Sequence, residues 1–212
     1  MNIGFIGLGV MGAPMARHLA KAGHRLTLLD LDAALARALA RDLGATAVAT
    51  PAEVARASDV IVTMLPDGRA VQQVVLGDDG VVQGVQPGAL LLDTSSAEPW
   101  LTEATGAALA EHGAGMVDAP VSGAAWGAAE ATLVFMVGGA ADDVERVRPL
   151  LGLMGRSVHH LGGLGSGHAM KCLNNCITAM TFAATSEALV TGKRYGLDPE
   201  AMVDVLNEST GG

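Results

Sequence analysis

The stretch from Met1 to Asp32 constrains the fold of this chain more than any other part of the sequence. An apolar strand is followed by the glycine turn Gly7-Leu8-Gly9-Val10-Met11-Gly12, a helical stretch and a second apolar strand that ends at Asp30. In such a unit the first glycine permits the tight turn, the second lets a pyrophosphate approach the backbone, and the third lets the helix pack close to the strand. The helix start also directs free N–H groups and a positive dipole end at phosphates. This context favours a dinucleotide site over a purely structural turn.

Asp30 lies at the end of the second strand, 18 positions after Gly12. A carboxylate at this place can accept hydrogen bonds from both ribose hydroxyls, and it repels a 2′-phosphate. Residues 31–36 contain no Arg or Lys that could bind such a phosphate. We therefore expect the cofactor to be NAD rather than NADP. Asp32 directly precedes the helical stretch Ala33–Leu43, and we expect it to cap that helix.

The composition is that of an acidic chain with an aliphatic core. Half of the 212 residues are hydrophobic, but only six are aromatic. The net charge of −9 argues against nucleic acid as a partner, because nucleic acid requires a basic face. The first 16 residues lack a basic segment typical of export signals, and the uncharged stretch Cys172–Ser186 is too short and polar to span a bilayer. The expected location is the cytoplasm, with no membrane partner.

Cys172 and Cys176 are the two cysteines of the chain. They lie four positions apart on a predicted helix, which suits neither a disulfide nor, without further Cys or His ligands, a zinc site. We expect them to pack as small apolar groups in a reducing compartment. No metal site is predicted, and the pair His159-His160 has no partner ligands.

Apolar strands alternate with helical stretches through the first three quarters of the chain. Strands are predicted at 3–6, 25–30, 45–48, 59–65, 89–93, 115–118, 133–137 and 157–161, and helices include 33–43, 69–75, 99–112 and 142–151. This alternation predicts an α/β fold with a doubly wound parallel sheet, in which residues 1–162 form a dinucleotide-binding domain.

Residues 163–212 are predicted to begin an all-helical second domain after the glycine-rich joint Gly162–Gly167. The stretch His168–Arg194 is apolar on nearly every face until Glu187, and only the helix Pro199–Leu206, capped by Asp198, follows it. A helix that is apolar all round must be covered all round. We therefore expect a homo-oligomer that packs through this domain, a longer natural chain, or both.

Two predicted strands end in residues suited to line a ligand site. They are followed by Met64-Leu65-Pro66 and Thr94-Ser95-Ser96, at the sheet edge where α/β folds bind ligands. An ordinary strand-to-helix turn would explain either segment alone. Beside the glycine turn, we expect them to line the nicotinamide half of the cofactor.

The segment Asp118-Ala119-Pro120-Val121-Ser122-Gly123-Ala124 is a candidate for substrate binding. A serine hydroxyl beside small residues offers a side-chain donor and accessible backbone N–H groups, which suit a carboxylate. A plain structural turn explains the same residues when they are taken alone.

Lys171, Asn174 and Asn175 share one side of the predicted helix, because they are spaced i, i+3 and i+4. A lysine and two amides are costly to bury without partners, and desolvation lowers the pKa of a lysine toward neutrality, which suits proton transfer. A lysine that extends to solvent explains the spacing equally well. We expect His168 to be a helix cap or a surface residue.

Together these residues are consistent with the active site of a dehydrogenase. Hydride would leave a carbinol carbon for the nicotinamide while Lys171 accepts the hydroxyl proton. Asn175 would hold the substrate oxygen and Lys171 in register, and Ser122 with the Gly123 backbone would anchor a substrate carboxylate.

Four ordered segments make the chain similar to a known family. They are Gly4–Gly12, Asp118–Gly123, Phe135–Gly139 and Gly165-x-Gly167-x-x-x-Lys171-x-x-x-Asn175. The chain resembles the β-hydroxyacid dehydrogenases, which include 3-hydroxyisobutyrate dehydrogenase, tartronate semialdehyde reductase and 6-phosphogluconate dehydrogenase. The segments Val121–Ala129 and Leu206–Gly211 look most similar to the 3-hydroxyisobutyrate group. The resemblance implies that Lys171 is catalytic, that Ser122, Gly123, Asn174 and Asn175 contact substrate, and that Ser96, Met64, Leu65 and Pro66 contact the cofactor.

The chain departs from the family pattern in two respects. Members usually have a second glycine where this chain has Ala124, followed here by the bulky Trp126, so an altered substrate pocket is expected. Members also continue with several more helices that pack between subunits. The expected activity is NAD-dependent oxidation of a short 3-hydroxy acid such as 3-hydroxyisobutyrate. The alternatives are reduction of tartronate or succinic semialdehyde, oxidation of L-serine or a similar acid, and a non-catalytic dinucleotide-binding module.

Overall fold

The computed structural model describes residues 1–209 of the chain, so the residues 210–211 of the segment similar to the 3-hydroxyisobutyrate group lie outside it. The chain forms two compact units, Met1–Lys171 and a second that begins at Cys172. This division lies nine residues after the expected domain boundary at residue 162, because the first turn of the long helix is fastened into the first unit by buried hydrogen bonds.

The first unit is an α/β fold around one nine-stranded sheet. Its strands are β1 Asn2–Ile6, β2 Arg25–Leu29, β3 Thr46–Ala47, β4 Val60–Thr63, β5 Leu90–Asp93, β6 Gly115–Asp118, β7 Val121–Ser122, β8 Leu133–Gly138 and β9 Gly155–Gly162. Its helices are α1 Gly12–Lys21, α2 Ala33–Leu43, α3 Pro51–Arg56, α4 Gly68–Leu76, α5 Pro99–Glu111, α6 Ala124–Ala129 and α7 Ala141–Met154, with a short 3₁₀ turn at Val81–Gln83. The long helix α8, Ser166–Tyr195, begins in this unit.

The central strands β4 and β5 are buried on both faces, which is why they are apolar runs rather than alternating patterns. In β5, Leu90 and Leu92 belong to a core cluster that also contains residues of α1, α2 and α7. Leu91 belongs to the cluster on the opposite face, together with residues of α3, α4 and α5. Full burial of each such leucine contributes about 1.5–3 kcal/mol. Helices therefore cover both faces of the sheet, as the doubly wound prediction requires.

The sheet is mostly parallel, as expected, but it also contains antiparallel pairs that the sequence pattern did not predict. Its strand order is β3-β2-β1-β4-β5-β6-β8-β7, with β9 also paired to β8. The pairs from β3 to β6 are parallel, whereas β8 runs antiparallel to both β6 and β7. The connection between β6 and β8 contains only the two-residue strand β7 and the short helix α6. A connection without a packed crossover helix reverses the chain, and this gives an antiparallel neighbour.

Several helices begin at side-chain caps. The Asp32 carboxylate accepts hydrogen bonds from the N–H groups of Ala34 and Leu35, which confirms the expected cap of α2. The Asp198 carboxylate caps α9, Pro199–Glu208, in the same way. Thr50 and Glu53 form a reciprocal capping box at the start of α3, which fixes the segment that follows β3.

The second unit contains the remainder of α8 and the helix α9. In this unit the buried Gly192 of α8 packs against the half-buried Met202 of α9, so that a Cβ added at Gly192 would overlap the Met202 side chain. Large apolar side chains along α8 are exposed in this single chain, including Leu173, Ile177, Met180 and Phe182. Cys172 and Cys176 are also exposed, so the expectation that they pack in a core is wrong for this chain alone. Within residues 1–209, no helix combines the length and apolarity needed to cross a membrane.

Candidate active site

The three glycines of the first turn differ in what surrounds them. Gly7 has a φ of +94°, and an added Cβ there would overlap the carbonyl oxygen of Met64. A Cβ on Gly12 would overlap the Gly7 carbonyl oxygen and lie 3.1 Å from Phe5 Cε1. At Gly9, in contrast, no atom lies within 4 Å of the Cβ position. Gly7 and Gly12 therefore serve chain packing, and Gly9 leaves an open backbone surface that a phosphate group can approach.

Helix α1 begins directly after this open surface. It is ten residues long, its N-cap residue Met11 makes no side-chain capping bond, and its first turn contains no acidic residue. The Ala13 N–H already donates to the Gly9 carbonyl oxygen at 3.1 Å, and Pro14 has no N–H, so the attraction for an anion at this end comes from the helix dipole and the open backbone at Gly9. The residues of this turn thus fit the pyrophosphate of a dinucleotide.

A cleft of about 750 Å³ lies over the turn, which is within the usual range for small-molecule and cofactor sites. Nine of the predicted cofactor residues line it: Gly7, Gly9, Val10, Met11, Gly12, Asp30, Met64, Leu65 and Pro66. The remaining two do not line it. Leu8 is buried, and Ser96 lies on the surface. The sequence prediction missed Val48, Ala49 and Pro51 on one wall and Gln73 and Val74 on another.

Asp30 is half-buried at the cleft and is held by the backbone. Its Oδ2 accepts a hydrogen bond of 2.6 Å from the Leu8 N–H, and its Oδ1 accepts one of 2.9 Å from the Asp32 N–H. Each carboxylate oxygen has two lone pairs, so both can also accept a ribose hydroxyl. None of the residues that line the cleft is Arg or Lys.

The predicted substrate segment lies at the end of the short strand β7. Ser122 pairs with Val134 of β8, and Ser122 and Gly123 are half-buried. Gly123 has a φ of +135°, and Ala124 has a φ of +53°, a left-handed conformation that costs a residue with a Cβ. Trp126 is exposed, with 65% of its surface open to solvent. Strained backbone and an exposed aromatic ring therefore sit together beside Ser122.

His168 is fully buried, so the expectation of a cap or surface role for its side chain is wrong. Its Nε2 lies 3.1 Å from the Ser95 carbonyl oxygen, and its Nδ1 lies 2.8 Å from Thr102 Oγ1. Its backbone N–H donates to Asp118 Oδ2 at 2.7 Å. The sequence prediction missed this residue because its partners come from three separate segments.

Lys171 follows His168 by one helical turn and is half-buried. Burial away from water lowers the pKa of its amine below the ordinary value for lysine. Within residues 1–209, no ion pair includes Lys171. A lysine in this environment is neutral at a lower pH than a free lysine, and its amine can then accept a proton.

Asn174 and Asn175 begin the second unit. Asn174 is half-buried and Asn175 is exposed, and the Asn174 Nδ2 donates a long hydrogen bond of 3.5 Å to Asn175 Oδ1. Because α8 is continuous, both amides keep the i+3 and i+4 spacing from Lys171 that the sequence predicts. His160, in β9, hydrogen-bonds through Nε2 to the carbonyl oxygens of Gly139 and Gly162.

Comparison with known proteins places this chain in a family. A family model described as the NAD binding domain of 6-phosphogluconate dehydrogenase matches residues 2–163. A second, described as NAD-binding of NADP-dependent 3-hydroxyisobutyrate dehydrogenase, matches residues 165–212. The chain belongs to the β-hydroxyacid dehydrogenase family. It is accordingly an NAD(P)-dependent dehydrogenase that acts on a CH–OH group.

Individual relatives agree with this assignment. An NAD-dependent L-serine dehydrogenase and a 3-hydroxyisobutyrate dehydrogenase, both of Pseudomonas aeruginosa, are each 40% identical over 211 residues. Each alignment covers 100% of this chain and 70% of the relative. The solved structure of Mycobacterium tuberculosis 3-hydroxyisobutyrate dehydrogenase with L-serine is 36% identical, with a TM-score of 0.91, and the match covers 100% of this chain and 71% of that one. The family resemblance expected from the sequence is confirmed.

Proposed function

We propose that this dehydrogenase uses NAD to oxidise a short 3-hydroxy acid similar to 3-hydroxyisobutyrate, with Lys171 as the general acid and base. The observation that carries the proposal is the environment of Lys171, whose pKa is lowered by burial and which lies one turn from the first unit's buried polar groups. A neutral amine beside a substrate hydroxyl can take its proton during oxidation and return it during reduction.

The other residues have supporting roles in this proposal. Asn175 orients the substrate oxygen relative to Lys171, and Asn174 contributes a further amide. Ser122 and the backbone N–H groups at Gly123 and Ala124 bind the substrate carboxylate. When bound, the nicotinamide ring supplies the hydride acceptor. Ser96 lies outside the cleft wall and is proposed to contact the cofactor from the strand end of β5.

The preference for NAD over NADP rests on Asp30. Its carboxylate is fixed by the Leu8 and Asp32 N–H groups and faces a cleft whose walls contain neither Arg nor Lys. A 2′-phosphate at the same place would meet a negative charge with no cation to offset it, whereas ribose hydroxyls would find acceptors.

The relatives support a short 3-hydroxy acid as the substrate class. The named substrates of the two Pseudomonas enzymes, L-serine and 3-hydroxyisobutyrate, are both short acids with a hydroxyl on the third carbon. L-serine is therefore an alternative substrate, and so are tartronate and succinic semialdehydes in the direction of reduction. The left-handed backbone at Ala124 and the exposed ring of Trp126, both close to Ser122 in the sequence, are the features that we propose to distinguish among these acids.

The test is formation of NADH from 3-hydroxyisobutyrate, 3-hydroxypropionate, L-serine and glycerate, with NADP in parallel and the two semialdehydes assayed with NADH. We expect turnover on one 3-hydroxy acid, with NAD preferred, and loss of turnover in Lys171→Ala. Turnover that survives Lys171→Ala contradicts the proposed role of Lys171. Tight NADH binding without turnover on any acid identifies a dinucleotide-binding module instead.

The proposal extends to assembly and location. The exposed apolar side chains of α8 support a homo-oligomer that packs through the helical unit, which sedimentation of the purified protein tests. Two free, exposed cysteines support a reducing compartment, and the cytoplasm is the proposed one. Cell fractionation tests this location.

A further inference from the structure

A buried polar cluster lies beneath the start of α8. We define the His168 cluster as Asp93, Ser95, Thr102, Asp118 and His168. Each of these residues is at most 2% exposed, and none of them lines the cofactor cleft. Asp93 and Asp118 end the neighbouring parallel strands β5 and β6, and Thr102 belongs to α5. The cluster thus joins two strand ends and two helices.

Two hydrogen bonds hold the imidazole ring of His168 in its orientation. A carbonyl oxygen can only accept a hydrogen bond, so His168 Nε2 carries a hydrogen and donates a hydrogen bond to the Ser95 carbonyl oxygen. In the neutral ring Nδ1 is then the acceptor for the Thr102 hydroxyl at 2.8 Å, and that hydroxyl also lies 3.3 Å from the Glu98 carbonyl oxygen. Asp93 Oδ2 has no hydrogen-bond partner within residues 1–209 and lies 3.8 Å from Nε2. Both ring nitrogens therefore have a hydrogen-bond partner in this orientation.

Asp118 holds the backbone of the same turn. Its Oδ1 accepts from the Gly165 N–H at 2.8 Å, and its Oδ2 accepts from the His168 N–H at 2.7 Å. A carboxylate from β6 thus caps a helix that begins 48 residues later in the chain. An added Cβ on Gly167 would lie 2.8 Å from Asp118 Oδ2, so the backbone approaches this carboxylate as closely as glycine allows. These two hydrogen bonds hold the first turn of α8 against the end of β6.

The same cluster contacts the wall of the cofactor cleft. Ser95 Oγ accepts a hydrogen bond of 2.9 Å from the N–H of Leu65, a residue that lines the cleft. The carbonyl oxygen of Ser95 accepts from His168. Ser95 therefore connects the backbone of the cleft wall to the side chain of His168. Lys171 lies one helical turn after His168 in α8.

We propose that His168 is a positioning residue for the dehydrogenase reaction: it fixes the first turn of α8, and with it Lys171, relative to the wall of the cofactor cleft at Leu65. The inference rests on the proposed role of Lys171. Because hydride and proton transfer depend on placement within about 1 Å, loosening this turn slows the chemical step more than it weakens cofactor binding.

The test compares three variants. His168→Leu removes both ring hydrogen bonds, His168→Gln keeps one donor and one acceptor at the end of a side chain of similar length, and Thr105→Val is the matched control. Thr105 is as buried in α5 as Thr102, and its hydroxyl donates to the Leu101 carbonyl oxygen of its own helix rather than to His168. Each variant is assayed for the single-turnover rate of NADH formation, the NADH dissociation constant and the thermal unfolding midpoint.

We expect His168→Leu to reduce the single-turnover rate by about tenfold or more, while the NADH dissociation constant changes by less than about threefold. His168→Gln should recover most of the rate. Thr105→Val should lower the unfolding midpoint without reducing the rate by more than about twofold. A folded His168→Leu variant with the wild-type rate overturns the proposal, and so does a rate loss that Thr105→Val reproduces or that His168→Gln fails to relieve.

A second readout separates this inference from the proposed function. The rate at which an amine-directed acylating reagent modifies Lys171, measured on its peptide by mass spectrometry, does not require turnover. We expect faster modification in His168→Leu than in wild type and no change in Thr105→Val. If wild type oxidises none of the acids, the proposed function fails, and the modification rates still decide the placement of Lys171: equal rates in wild type and His168→Leu overturn it.

Discussion

Replacement of Gly9 by alanine should stabilise the protein and weaken its binding of NADH, two effects of opposite sign from one methyl group. No atom lies within 4 Å of the Cβ position at Gly9, and the backbone there does not have the positive φ that disfavours alanine. Alanine restricts the unfolded chain more than glycine does, so the free energy of unfolding should rise by about 0.4–1 kcal/mol. For a chain of this size that corresponds to an increase in Tm of about 1–4 °C.

The binding loss follows from the same open space. The new methyl group would occupy the backbone surface that the pyrophosphate approaches, and we expect the NADH dissociation constant to rise by about tenfold or more, or 1.4 kcal/mol. Gly12→Ala provides the contrast, because its Cβ overlaps the Gly7 carbonyl oxygen and forces α1 away from β1. That variant should lose about 3 kcal/mol of stability.

The assays are thermal unfolding followed by circular dichroism and NADH titration followed by fluorescence, with wild type, Gly9→Ala and Gly12→Ala measured side by side. A Gly9→Ala protein that binds NADH as tightly as wild type would refute the assignment of this turn as the pyrophosphate site. A Gly12→Ala protein of wild-type stability would refute the packing argument.

Three further predictions concern the cleft, the substrate segment and the proposed base. Asp30→Ala should lower the free energy of unfolding by about 1–3 kcal/mol, because the Leu8 and Asp32 N–H groups lose their acceptor, and should raise kcat/KM with NADP relative to NAD; steady-state kinetics with both cofactors checks this. Ala124→Gly should raise the free energy of unfolding by about 0.5–1 kcal/mol in urea titrations, because it relieves the left-handed backbone at φ +53°. The free energy of unfolding should also rise with pH between the lowered pKa of Lys171 and the usual lysine value of 10.5, since the unfolded chain binds the proton that the folded chain has released; urea titrations across this range should show that rise in wild type and lack it in Lys171→Met.

The sequence predicted those parts of the fold that depend on local pattern. The continuous apolar runs located β4 and β5 because both faces of these strands are buried. The cap residues Asp32 and Asp198 were identified because a capping side chain acts on N–H groups two or three residues away. In each case the signal lies within a few consecutive residues of the sequence.

Features that depend on distant segments were not predicted. The strand β7 has two residues and no apolar pattern of its own, so its pairing and the reversed direction of β8 follow only from the folded sheet. The buried partners of His168 are Asp118, Ser95 and Thr102, which lie 50 to 73 positions away in the sequence. Its burial therefore could not be predicted from the residues around it. The available signal was that Asp93 and Asp118 end apolar strands at the same sheet edge, where a buried carboxylate requires partners.

The central claim is that Lys171 transfers the hydroxyl proton, and the pH dependence of kcat/KM for oxidation tests it most directly. With NAD and the 3-hydroxy acid that wild type turns over, kcat/KM should rise with pH through a pKa below that of a free lysine, because the base must be neutral to accept a proton. In Lys171→Ala the rate should fall by about 100-fold or more, and this pH-dependent rise should disappear. A Lys171→Ala enzyme that retains the wild-type rate or the same pH profile would contradict the account.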